Sequence, residues 1–119
     1  MTDDARTLVV AVILGEPVPK GRPRLGLGRV YTPRATRLAE EAIGWNLKLA
    51  MRGGPFLGDV RVALRFRETT RRADLDNLVK LVLDAANGVV WRDDRQVVAL
   101  DAAFVDDGEP RTEVRVWIA

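Results

Sequence analysis

The chain contains no histidine and no cysteine. Without these residues it cannot build a Ser-His-Asp triad, a thiolate nucleophile, a disulfide framework or a usual zinc site. Any chemistry must therefore rest on carboxylates, lysine, hydroxyl groups and a metal ion. Oxygen ligands alone favour Mg²⁺, Mn²⁺ or Ca²⁺, and Mg²⁺ is typically held by one or two carboxylates with water and substrate phosphate. The composition points to phosphoryl-group chemistry.

Long apolar runs are also absent. No stretch approaches the roughly 20 residues of a membrane span, and residues 1–6 are acidic, unlike the basic start of a signal peptide. Together with the lack of cysteine, this predicts a cytoplasmic protein without membrane contact. A length of 119 residues with 47% hydrophobic residues suits one domain over residues 1–119. Its core is small enough that a second subunit would help.

The net charge is only +2, but the charges are unevenly distributed. Acidic residues concentrate in the C-terminal third, and basic residues form two groups. These groups are Lys20, Arg22, Arg24 and Arg29, and Arg65, Arg67, Arg71 and Arg72. Groups of basic residues beside an acidic pocket suit a metal-dependent nuclease, because arginines hold the phosphate backbone while carboxylates hold the ion. An ordinary solvated surface is the alternative interpretation.

Strands are predicted where apolar residues run continuously or alternate. Residues 7–14 form a continuous Val/Ile/Leu run, and residues 60–67 alternate apolar side chains mostly with arginines, as in a strand with one face on the core. Further extended segments are predicted at 29–31, 89–91, 97–100 and 112–118. The segment 16–28, rich in glycine and proline, is predicted as a loop.

Two helices are predicted between these strands. The first begins at Thr32-Pro33, an N-cap followed by proline, and stops at Gly53-Gly54-Pro55; Leu38, Ala42, Trp45 and Leu49 recur at helical spacing. The second begins around Asp74 to Asp76 and ends at Asn87-Gly88, where glycine supplies a left-handed cap. Its apolar residues share one broad face, opposite a polar arc made by Asp76, Asn77, Lys80, Asp84 and Asn87. This order predicts an α+β, α/β-like fold with a mixed sheet of four to five strands and two main helices.

The candidate functional residues are three aspartates, Asp74, Asp76 and Asp94. The first two lie where an arginine-rich strand end meets a helix start, a position that also favours plain helix capping. Lys80 follows one turn later, and the pair Asp93-Asp94 follows the helix. Carboxylates gathered together repel one another unless a cation lies between them. The pattern therefore predicts convergence on a hard divalent cation.

The whole pattern resembles the RusA family of Holliday junction resolvases, found in bacteria, phages and prophages. The resemblance is carried by Arg-Arg-Ala-Asp-Leu-Asp-Asn-Leu-Val-Lys at 71–80, Asp-Ala-Ala-Asn-Gly at 84–88 and Trp-Arg-Asp-Asp-Arg-Gln at 91–96. Weaker signals are Pro-Lys-Gly-Arg-Pro-Arg at 19–24 and Tyr-Thr-Pro at 31–33. It implies a homodimeric, Mg²⁺-dependent endonuclease, with Mn²⁺ able to substitute and no small-molecule cofactor. Such an enzyme nicks paired strands across a four-way DNA junction during recombination and repair.

The resemblance also implies roles for individual residues. Asp74, Asp76 and Asp94 would bind the metal and act in catalysis, with Asp93 in the same acidic patch and Lys80 as the catalytic lysine. The candidate DNA contacts are Lys20, Arg22, Arg24, Arg71, Arg72 and Asn77. Many relatives carry a basic residue past the Asp-Asp-x-Gln segment, whereas residues 100–104 hold none. This departure predicts weaker junction binding, or compensation by Arg92 or Arg95.

A dimer is also expected from the symmetry of the substrate. A four-way junction has approximate two-fold symmetry, and two matched cuts require a closed pair of subunits. Candidate interface residues are Phe56, Leu57, Val89, Val90 and Trp91. Two alternatives stay open: a non-catalytic branched-DNA-binding protein of the same fold, and a metal-dependent nuclease that cuts flaps, nicked duplex or RNA.

Overall fold

The computed structural model describes residues 7–21, 24–26, 29–31 and 34–119. Six strands and two helices follow one another as β1 (Thr7–Leu14), β2 (Arg24–Gly26), β3 (Arg29–Tyr31), α1 (Arg34–Ala50), β4 (Val60–Arg67), α2 (Leu75–Ala86), β5 (Val97–Phe104) and β6 (Arg111–Ile118). A short 3-10 helix, Asp94–Gln96, leads into β5. The predicted α+β class with two helices is confirmed.

The main sheet has four strands in the order β1-β6-β4-β5, and β2 pairs with β3 separately. β6 runs antiparallel to both β1 and β4, whereas β4 and β5 are parallel. Parallel neighbours need a crossover connection, and α2 supplies it here. The segments that precede and follow α2 therefore lie at opposite ends of β4 and β5.

The core lies between one face of the sheet and the two helices. The alternation predicted for β4 is confirmed, because Val60, Val62, Leu64 and Phe66 are all buried. The apolar face predicted for α2 is also confirmed: Leu78, Val79, Leu81, Val82, Ala85 and Ala86 are buried and Leu83 is half-buried. Each large side chain removed from water there contributes about 1.5–3 kcal/mol. Burial of this face fixes α2 on the sheet.

In contrast to α2, the apolar residues that recur at helical spacing along α1 face outward. Leu38, Trp45 and Leu49 are exposed, whereas Ile43 and Leu47 reach the core. The helical spacing was therefore correct, but the stripe it traces is on the surface. No helix within the described residues is long and apolar enough to cross a membrane.

Several local predictions are corrected by the structure. Residues 24–26, predicted as loop, form β2, and the segment 89–91 is a turn in which the Val90 N–H donates to the Ala86 carbonyl at 2.8 Å. β5 continues to Phe104, beyond the predicted end at residue 100. Among the predicted interface residues, Val90 and Trp91 are fully buried in the core. Thr32 and Pro33, the predicted helix start, lie outside the described residues.

Gly88 follows α2 with φ +84°, as predicted for a left-handed cap. A Cβ there would meet nothing within 4 Å, so the backbone angle alone sets the effect of a side chain. We expect Gly88→Ala to lower the free energy of unfolding by about 1 kcal/mol. Gly53→Ala is the matched control, since Gly53 has open space and no left-handed φ. Equal losses in urea denaturation of the two variants would contradict this account.

Candidate functional site

Asp74 and Asp76 lie together at the start of α2. Asp74 is the N-cap residue, with φ −74° and ψ 136°, yet its side chain makes no capping hydrogen bond. Asp76 lies in the first turn, 4.0 Å from the Lys80 ammonium group one turn later. All three side chains are exposed. Because neither carboxylate caps the helix, the capping alternative loses its main support, and both carboxylates are available to a ligand.

The loop that carries Asp74 is held by two glutamates. Glu68 is buried at the end of β4, and its carboxylate accepts hydrogen bonds from the backbone N–H groups of Arg72 at 3.3 Å and Ala73 at 3.4 Å. Glu16 accepts from the Thr69 N–H at 3.1 Å and from the Thr69 hydroxyl. These contacts fix the loop between β4 and α2.

Sequence reasoning missed Glu68, although its signal was present. The inward positions of β4 alternate from Val60 to Phe66, and the next inward position is Glu68. A carboxylate at an inward position must find hydrogen-bond donors. Extending the alternation by one step would have identified it.

Lys20 joins the N-terminal loop to both helices. Its ammonium group pairs with Glu40 of α1 and lies 3.0 Å from the carboxylate of Asp84 on α2, while its backbone N–H donates to the Asn77 carbonyl at 2.9 Å. The hydrogen bond to Glu40, together with the nearby Asp84, raises the pKa of Lys20 although partial burial opposes this. Asp84, on the polar arc of α2, thus pairs with Lys20.

Asp93 and Asp94 lie at the beginning of β5. Asp93 forms a capping box with Gln96: its carboxylate accepts from the Arg95 N–H at 2.9 Å, and the Gln96 side chain accepts from the Asp93 N–H at 3.0 Å. The Arg95 backbone N–H and guanidinium group lower the pKa of Asp93. Asp94 accepts a hydrogen bond of 2.7 Å from the indole N–H of the buried Trp91. Asp93 is thus engaged locally, and Asp94 is anchored to the core.

The two acidic groups occupy opposite ends of the sheet. Asp74 follows the C-terminal end of β4, whereas Asp94 precedes the N-terminal end of β5, which runs parallel to β4. An eight-residue strand separates these ends by about 25 Å. Within the described residues, no group of three acidic side chains is placed to hold a metal ion. The expected convergence is therefore not found within one chain.

The basic residues near Asp74 include Arg71 and Arg72. The Arg71 guanidinium group lies over the Phe104 ring, 4.5 Å from its centroid, and Arg72 is exposed. Arg22 lies outside the described residues, as does the side chain of Arg24. The DNA contacts predicted for these residues, for Lys20 and for Asn77 stay predictions.

A single chain can nevertheless offer part of a metal site. Asp74 and Asp76 supply neighbouring carboxylates, which is the number that Mg²⁺ commonly takes from a protein before water and phosphate complete its coordination. Oxygen donors without histidine or cysteine also suit Mg²⁺ or Mn²⁺ better than zinc. The residues at the start of α2 therefore fit such an ion.

Exposed carboxylates can hold a metal ion that activates water, and arginines beside them can contact phosphate groups. The family model of endodeoxyribonuclease RusA matches residues 15–117. The chain therefore belongs to the RusA endodeoxyribonuclease family, whose members are nucleases of Holliday junctions and generally need a divalent metal. An uncharacterized protein of Bacillus subtilis strain 168, YqaN, is 28% identical over an alignment 130 residues long, which covers 87% of this chain and 92% of the relative.

The contacts of Lys20 predict a role in stability. Lys20→Met should leave Glu40 and Asp84 without their shared cation and lower the free energy of unfolding by up to about 1 kcal/mol, since all three side chains are partly exposed. Because the pKa of Lys20 is raised, this contribution is complete below the pKa of free lysine, about 10.4, and disappears as pH rises above it. Denaturation at several pH values would measure it.

Arg37→Met is the control for this experiment. Arg37 is exposed on α1 and forms no ion pair with the residues that the structure describes. Its loss should leave stability within about 0.5 kcal/mol of the wild type. A Lys20 variant as stable as this control would show that the ion pairs do not hold the loop.

Proposed function

We propose that this protein is a Mg²⁺-dependent endonuclease that resolves Holliday junctions by nicking paired strands. The observation that carries the proposal is the exposed carboxylate pair Asp74 and Asp76, held by a fixed loop and left free of capping hydrogen bonds. Family membership supplies the substrate class. A protein that only bound DNA would gain nothing from carboxylates facing phosphates, since they repel the backbone.

The surrounding side chains suit phosphodiester hydrolysis. A divalent ion held by Asp74 and Asp76 would supply Lewis-acid chemistry, so that no histidine base would be needed to activate water. Lys80, close to Asp76, donates to the phosphate and stabilises the charge that grows in the transition state. Arg71 and Arg72 orient the strand by contacting neighbouring phosphates, together with Lys20, Arg22, Arg24 and Asn77.

Asp76→Asn is the direct test of this site. The substitution removes a carboxylate charge, so we expect cleavage of a synthetic four-way junction in Mg²⁺ to fall by more than about 100-fold. Even residues that merely support a metal ligand typically contribute about 10–100-fold. Junction binding should persist, because one negative charge near the phosphates is lost. Binding is measured by gel shift and cleavage by strand-specific nicking.

The same assay separates the alternatives. The assay compares the junction with linear duplex, flaps, single strands and RNA as substrates, each in the presence of Mg²⁺ and of a chelator. Glu41→Gln, which changes an exposed carboxylate on α1, serves as the control and should cut normally. If the Asp76→Asn variant cuts the junction normally, Asp76 is not part of the active site. Binding without cutting under every condition would favour the non-catalytic alternative.

We further propose that a second copy completes each metal site. Asp94 lies too far from Asp74 and Asp76 to share an ion with them in one chain, but a homodimer can bring Asp94 of one copy to the carboxylate pair of the other. Asp93 is a weaker candidate ligand because its carboxylate already caps the 3-10 helix. Each dimer would then hold two equivalent sites, matching the two cuts that symmetric resolution requires.

Mixing inactive variants tests this arrangement. A dimer of Asp76→Asn and Asp94→Asn copies should retain one intact site, formed by the unchanged halves of the two chains, and should nick one strand. A mixture of Asp74→Asn and Asp76→Asn should stay inactive, because both changes fall in the same half. The variants are refolded together and assayed on a labelled junction. If sites lie within single chains, neither mixture recovers nicking.

A further inference from the structure

The main sheet has an outer face, which is the face turned away from the two helices. Val62, Leu64 and Val114 point toward the helices and are buried, so alternate residues of the four strands point outward. None of the described outward side chains is fully buried. Five of them are arginines, and two are carboxylates. The arginines are Arg61, Arg65, Arg67, Arg111 and Arg115, and the carboxylates are Asp101 and Glu113.

The outer face carries more positive charge than the chain as a whole. Five arginines and two carboxylates leave three positive charges, whereas the net charge of the 119 residues is +2. Both carboxylates already have an arginine beside them. Asp101 lies 3.2 Å from the Arg65 guanidinium group, and Glu113 lies 2.5 Å from that of Arg111. The remaining positive charge of this face is therefore available to an anion from outside.

Two arginines of β4 are left without a carboxylate. Arg61 is the second residue of the strand and Arg67 is the last, and neither forms an ion pair with any residue that the structure describes. Across the sheet, Arg61 lies between Trp117 and Ala99, and Arg67 lies opposite Arg111. No carboxylate is thus directly beside either guanidinium group, and like charges that lie opposite one another destabilise a sheet. A bound anion would relieve this repulsion.

The distribution of charge favours nucleic acid over a protein partner. Interfaces between proteins are apolar at the centre and polar at the rim. The outer face has the reverse order, because its arginines lie on the two central strands, β6 and β4, whereas Val10, Val12 and Leu14 are exposed on the edge strand β1. Interfaces with DNA are much more positively charged. Arginine also suits phosphate, which its planar group can contact through two hydrogen bonds.

We infer that the outer face binds the phosphate backbone of duplex DNA, as a surface separate from the candidate metal site. Six residues separate Arg61 from Arg67, so they are about 20 Å apart along β4. Each strand of B-DNA has one phosphate per about 3.4 Å of helix axis, so this length matches about six base pairs. The loop 68–73 leads from Arg67 to Asp74, so the two surfaces meet at one end of the sheet.

Arg61→Gln combined with Arg67→Gln tests this surface. Binding of a short linear duplex is measured by fluorescence anisotropy in chelator, so that no strand is cut. Each phosphate contact contributes about 0.9 to the slope of log association constant against log salt, so the slope should become shallower by about two units. At about 0.1 M salt this loss corresponds to a roughly 60-fold higher dissociation constant. Circular dichroism shows whether the variant is folded.

Two further double variants serve as controls. Arg61→Lys with Arg67→Lys keeps both charges and should keep the salt dependence of the wild type. Arg37→Gln with Lys48→Gln removes two exposed cations from α1, on the other side of the sheet, and should leave duplex binding unchanged. Wild-type binding by the glutamine variant of β4, or an equal loss in the α1 variant, would overturn the inference. Either result would leave the outer face to another partner.

Val10→Lys keeps the inference testable if the glutamine variant of β4 fails to fold. Val10 is 50% exposed on the outer face of β1, so a lysine there adds a cation without entering the core. Duplex binding should tighten about eightfold at about 0.1 M salt, and its salt dependence should become steeper by about one unit. A Val10→Lys variant that binds the duplex no more tightly than the wild type would reject the surface.

The outcomes also separate this inference from the proposed function, with which it shares only the kind of ligand. A protein that cuts no junction, but whose duplex binding depends on Arg61 and Arg67, would sustain the surface and reject the nuclease. Junction cleavage that depends on Asp76, in a chain whose duplex binding is indifferent to the two arginines, would sustain the nuclease and reject the surface.

Discussion

The parallel pairing of β4 with β5 is the constraint on which the rest of the structure depends. Two consecutive parallel strands need a connection that returns across the sheet, and here α2 makes that return by burying its apolar face. Leu81 and Val82 hold the helix against the sheet. The residues on either side of α2 must therefore lie at opposite ends of the fold. No local rearrangement of the loops can bring Asp94 to Asp74 without breaking the crossover.

The surroundings of the two acidic groups show how each is held. Glu68 uses its buried carboxylate to fix the loop before α2, and the Asp74 side chain makes no capping hydrogen bond. Trp91 plays a comparable part at the other end, since its indole N–H is anchored in the core and orients Asp94. Groups fixed in advance lose little entropy on binding a ligand or reaching a transition state.

Much of this fold could be predicted from the spacing of apolar residues and from the glycine that ends a helix. The alternation in β4, the apolar face of α2 and the left-handed Gly88 all follow from rules that act over a few residues. The outward stripe of α1 could not be assigned, because helical spacing identifies a face without saying what covers it. For the same reason the motif identifies candidate aspartates but not how far apart the fold places them. Their separation follows from strand direction, which a single sequence does not specify.

The proposed division of the carboxylates between two chains would have an electrostatic consequence. Three aspartates gathered within one small domain would repel one another throughout folding, before any metal was bound. With Asp94 far from Asp74 and Asp76, each copy folds without that repulsion. In the proposed dimer the repulsion arises only where the copies meet, and there a divalent ion offsets it. Metal binding would then favour the dimer by mass action, because the ion binds the assembled site more tightly than the separate halves. Assembly and readiness for hydrolysis would thus depend on the same cation.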